Sequence, residues 1–75
     1  MPQRRRFVFC LENRGYPCSL ELRKVYRALP DPGAERHGMV RVVDESGEDH
    51  LYPRDWFVRV TLPRGAGRLF SRHST

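Results

Sequence analysis

No apolar stretch of this chain approaches the roughly 20 residues that a bilayer-crossing helix needs. The opening MPQRRRFVFCLENRG has a basic cluster followed by only five apolar residues before Glu12, too few for the apolar core of a secretion signal. The cell interior, and specifically the cytoplasm, is therefore the expected setting, and no membrane partner is expected. Cysteine is scarce too: Cys10 and Cys18 stand alone, which gives no framework to staple a fold. In a reducing compartment they are expected as free thiols, with Cys10 a small core residue. Seven residues separate them, whereas structural zinc sites use closely spaced C-x(2–4)-C pairs. His37 and His50 are the only histidines of the central region, and neither a metal nor a cofactor is expected.

Catalytic signatures are missing as well. Gly65-Ala66-Gly67 lacks the spacing and the flanking strand and helix of a dinucleotide loop. Ser19, Ser46, Cys18, His37 and His50 are present, but none sits in an elbow or helix-start motif that would pair a nucleophile with a base. A chain of 75 residues forms one domain that hides only about 60% of the surface its unfolded form exposes. So small a core leaves little room for an elaborate buried site. The expectation is a protein that is not an enzyme.

The net charge of +5 points toward nucleic acid until its location is examined. Arg4, Arg5 and Arg6 lie in an N-terminal arm, residues 1–6, and Arg64, Arg68 and Arg72 in a C-terminal tail, residues 64–75. Between Phe7 and Pro63 eight basic residues face all nine acidic ones, a net of −1. A folded face built to read phosphate would concentrate the charge on itself.

What the chain does have is two-residue alternation. Arg6 to Leu11 sets Phe7, Phe9 and Leu11 against Val8 and Cys10. With both faces apolar, this is a strand inside a sheet. Asn13, Gly15 and Pro17 mark a loop. Ser19 to Leu29 fits two patterns: Leu22, Val25, Tyr26 and Leu29 fall at helical spacing, while Arg23 to Leu29 also alternates as a strand. The strand is preferred, since the surrounding chain is β and tertiary context overrides weak propensity. Asp31 as N-cap, Pro32 at the first helical position and Gly38 just past the end predict a single helical turn. Met39 to Asp44 is a β-branched strand, Glu45-Ser46-Gly47-Glu48 a hairpin turn and about Glu48 to Tyr52 the return strand. Pro53 to Trp56 forms a tight turn before a last strand, Phe57 to Leu62, closed by Pro63. Five short strands and one helical turn predict a mainly β domain over residues 7–63, a small, partly open barrel, flanked by the arm and the tail.

Leu51-Tyr52-Pro53-Arg54-Asp55-Trp56-Phe57-Val58 resembles the close of an SH3-like barrel, where a strand meets proline, makes one helical turn and delivers an aromatic and a valine into the final strand. The tandem tryptophan and the early acidic-aromatic run of peptide-binding SH3 domains are missing, so that activity is not carried over. Ser19-Leu20-Glu21-Leu22-Arg23-Lys24-Val25-Tyr26-Arg27 and Val42 through Pro53 together resemble a family of short bacterial proteins with no assigned activity. The resemblance spans roughly Phe7 to Pro63. It implies an SH3-like fold and a bacterial, intracellular setting, and it implies no chemistry.

Two surfaces are candidates for contact. Asp44, Glu45, Glu48 and Asp49 crowd the hairpin without the spacing of a calcium loop, so they are expected as a solvated acidic turn. Glu45, Glu48 and Asp49, with Tyr52 and Trp56, are the expected contacts of an interaction module whose partner is another protein. The alternative is an RNA- or DNA-binding barrel. Its contacts would be Arg4, Arg5, Arg6, Arg41, Arg54, Arg64 and Arg68, with Tyr26, Tyr52 and Trp56 as a stacking platform.

Overall fold

The computed structural model describes residues 6–62. They form one antiparallel sheet of five strands: β1 Arg6–Cys10, β2 Val25–Leu29, β3 Met39–Val43, β4 Asp49–Pro53 and β5 Phe57–Val60. A one-turn helix, α1 Pro32–Glu35, joins β2 to β3, and a 3-10 turn, Arg54–Trp56, joins β4 to β5. The expected elements are present, each within a residue or two of its expected bounds. The segment around Val25 to Leu29 is strand, not helix.

Sheet order is β4-β3-β2-β1-β5, so β4 and β5, consecutive in the chain, lie at opposite edges. In a flat sheet those edges would stand about 19 Å apart at the usual strand spacing. A three-residue 3-10 turn rises only about 6 Å. The sheet therefore curls until its edges approach at that end, giving a small, partly open barrel.

Alternation decides what faces the centre. Phe57 stands opposite Cys10, Val8 opposite Tyr26, Ala28 opposite Val42 and Val40 opposite Tyr52, and these eight residues are buried together. Leu20, from the loop before β2, enters the same cluster and is completely buried, while Leu22 two residues on is exposed. β1 sits between β2 and β5, so its backbone is paired along both edges.

β2 begins at Val25 rather than Arg23 for a backbone reason. Arg23 has φ +63°, a left-handed conformation that interrupts the pleat. Cys10 of β1 accepts from Arg23 N–H at 2.8 Å and donates to Lys24 C=O at 2.9 Å. Two residues thus oppose one, as in a β-bulge. The other local signals act as written in the sequence: Asp31 Oδ1 accepts from Ala34 N–H at 3.1 Å, and Gly47, with φ +85°, turns the β3–β4 hairpin. No described helix is long and apolar enough to cross a membrane.

Candidate interaction surfaces

Asp44 follows the last residue of β3 and points inward. The expectation of a solvated turn acid is corrected here: its side chain is 1% exposed. Four donors converge on it, namely Ser46 N–H at 2.9 Å, Ser46 Oγ at 2.5 Å, His50 Nδ1 at 2.8 Å and Tyr52 Oη at 2.5 Å. Burial pushes the carboxyl up, and the bonds from Ser46, Tyr52 and His50 more than offset it, holding the pKa at about 2. Burial, followed by the same carboxylate, drives Tyr52 up to about 12.

Glu45 is also less free than a turn acid should be. Its carboxylate accepts from Lys24 Nζ at 2.6 Å and from Tyr26 Oη at 2.5 Å, and these two bonds, in that order, hold its pKa below the usual carboxylate range. Burial, then the bond to Glu45, pushes Tyr26 up. Asp49 pairs with Arg41 at 2.9 Å, and the same guanidinium reaches Asp31 at 2.9 Å. Of the three hairpin acids expected at a partner surface, Glu48 alone is exposed with a carboxylate unpaired among the described residues.

The aromatics do not form the stacking platform of the nucleic-acid alternative. Tyr26 and Tyr52 are core residues, the latter only 2% exposed, so neither offers a face to a partner. Tyr16, from the β1–β2 loop, replaces them. It is 49% exposed, meets Tyr52 edge-on with ring centroids 5.3 Å apart, and lies 5.9 Å from Trp56. Trp56, half-buried, stacks on Tyr52 at 6.2 Å. Two accessible rings thus rest on a third that Asp44 holds in place.

The arginines are scattered. Arg6, counted with the arm in the sequence, opens β1 and pairs with Glu35 at 3.0 Å. Arg41 is doubly paired, and Arg54 is exposed on the 3-10 turn. Arg4, Arg5, Arg64 and Arg68 lie outside the described residues.

A cleft of about 430 Å³ opens beside β5. Val8, Ala28, Val40 and Phe57 line it as apolar surface, and Arg6, Glu35, Arg54, Asp55 and Arg59 supply its charges.

The Asp44–His50 pair has the orienting half of a hydrolytic triad, a buried carboxylate on an imidazole Nδ1. Ser46 Oγ donates to that same carboxylate, whereas the hydroxyl of a triad donates to the imidazole. Cys10 is buried and Cys18 exposed, both as free thiols. Among the described residues no three His, Cys, Asp or Glu side chains gather as metal ligands would. Comparison with protein-family models, with curated proteins and with solved structures finds no match.

Proposed function

We propose that the chain is a non-catalytic interaction module that binds another protein through the Tyr16–Trp56 patch, with Glu48 on the hairpin as a supporting charge. The fold is read as SH3-like and the setting as the bacterial cytoplasm, on the resemblances of Leu51 to Val58 and of Ser19 to Arg27 together with Val42 to Pro53. The observation that carries the function is the support beneath the patch: Tyr16 and Trp56 both pack on Tyr52, whose hydroxyl is bonded inside the barrel. Rigid, half-exposed aromatic rings are the side chains on which protein interfaces concentrate their energy.

The nucleic-acid reading is weaker because two of its three cations among the described residues, Arg6 and Arg41, are already engaged, which leaves Arg54 alone. Arg41 spans Asp31 and Asp49, and Arg6 holds Glu35, so a phosphate would have to displace carboxylates from both. Pull-down with the full chain, with and without nuclease, tests the choice. Nuclease-resistant capture of the same proteins, lost on Tyr16→Ala and weakened by Glu48→Lys, supports protein binding. Capture that nuclease abolishes, and that falls steeply with salt, overturns it.

A further inference from the structure

The cleft has a particular relation to β5. Phe57, Val58 and Arg59 are consecutive, and successive residues of a strand point to opposite faces, yet all three line the cleft. A cavity that touches both faces of a strand passes round its end or along its edge, and this one follows β5 from Phe57 to Arg59. Among the described residues β5 pairs with β1 on one side alone, so the cleft runs along its free side. Across it stand Val40 of β3 and Glu35 of α1. This seam lies between the free edge of β5 and the α1–β3 side of the barrel, with backbone unpaired among the described residues on one wall and core side chains at its floor.

Charge gives the seam a sign. Three guanidiniums, Arg6, Arg54 and Arg59, meet two carboxylates, Glu35 and Asp55. Arg6 and Glu35 satisfy each other at 3.0 Å, while Arg54 and Arg59 have no ion-pair partner among the described residues. Arg59 stands opposite Val8, a register position on the inward face, where alternation would otherwise put an apolar side chain.

We infer that this seam takes an extended, acidic segment of a partner protein as an added strand beside β5. Aliphatic side chains of the segment rest on Val8, Val40 and Phe57, and its carboxylates pair with Arg54 and Arg59. Backbone pairing along an exposed edge supplies affinity, and the alternate side chains supply selectivity. This reading rests on the interaction-module proposal and adds a second contact, on residues that the Tyr16–Trp56 patch does not use.

The test is selection of a displayed library of random peptides against the full chain, followed by titration of a synthetic copy of the enriched peptide. Enrichment of acidic sequences that carry aliphatic and acidic residues on one face, at i and i+2, is expected, because Val8, Phe57 and Arg59 share the inward face. Arg59→Glu, at an exposed position, should weaken the synthetic peptide by about tenfold or more, since losing a close charge pair and gaining a repulsion costs that much. Two N-methylated copies, blocked on alternate backbone amides, should differ, with only one losing affinity. Equal binding by the two copies, undiminished binding to Arg59→Glu, enrichment of neutral or basic sequences, or no enrichment overturns the seam. Peptides sensitive to Tyr16→Ala alone overturn it while leaving the interaction module standing.

Discussion

The Tyr52 hydroxyl donates to Asp44 Oδ2 at 2.5 Å, and both residues are buried. The bond joins the end of β3 to β4 beneath the aromatic patch, so it serves the hairpin and the surface at once. Tyr52→Phe keeps the ring and removes the donor. A loss of about 1.5–3 kcal/mol in urea unfolding is expected, the usual cost of a hydrogen bond to a charged group. An unchanged midpoint would show that Ser46 and His50 suffice.

Acid should weaken the fold in a defined window. The Asp44 pKa is lowered from 3.8 to about 2, so the folded state binds its proton less readily than the unfolded chain does. The resulting stability is complete above pH ~4 and is lost as the pH falls through about 2. The linkage amounts to about 2 kcal/mol. Urea midpoints measured across that window should fall for the native chain. In Asp44→Asn they should start lower and lose less, and parallel curves would assign the acid sensitivity elsewhere.

Arg23 is the only described non-glycine residue with positive φ, and it occupies the bulge position where glycine is at ease. Arg23→Gly removes the strain of a side chain in left-handed backbone. A gain of up to about 1 kcal/mol is expected, seen as a higher melting temperature. The converse change, Gly47→Ala, meets no neighbouring atom within 4 Å, and its expected loss of about 1 kcal/mol comes from backbone conformation alone.

The strands were legible because alternation is a local property: each face of Arg6 to Cys10 or Met39 to Val43 is written in consecutive residues. Asp31, Pro32, Gly38 and Gly47 act through their own backbone and were legible for the same reason. Leu20 was not, since a loop residue that fills the barrel has no period to betray it. Asp44 looked like one acid among four because its neighbours in sequence are charged. Its burial depends on Tyr52, which β4 returns to it across the hairpin. Tyr16 and Trp56 meet only because the sheet curls, and the sole local hint was an aromatic set between Gly15 and Pro17. The cleft was invisible for the same reason, as its walls come from four strands, α1 and the 3-10 turn.

The two thiols should respond oppositely to alkylation. Cys18 is exposed, whereas Cys10 is fully buried, and burial pushes its pKa up, which lowers the reactive thiolate fraction. Mass spectrometry after brief iodoacetamide treatment should find a single adduct, on Cys18, with Cys10 modified only in denaturant. A native adduct on Cys10 would mean that β1 opens readily.

The placement of β1 has a consequence for biosynthesis. Its Phe7 pairs with Arg27 on one side and with Val60 on the other, so β1, made ahead of the other four described strands, gains its second neighbour from β5, made after them. Until the chain has emerged past Val60, one rim of an apolar strand stays bare, and such rims invite association with other chains. Slowed translation just before Trp56 prolongs that interval and should raise the yield of aggregate rather than of folded protein.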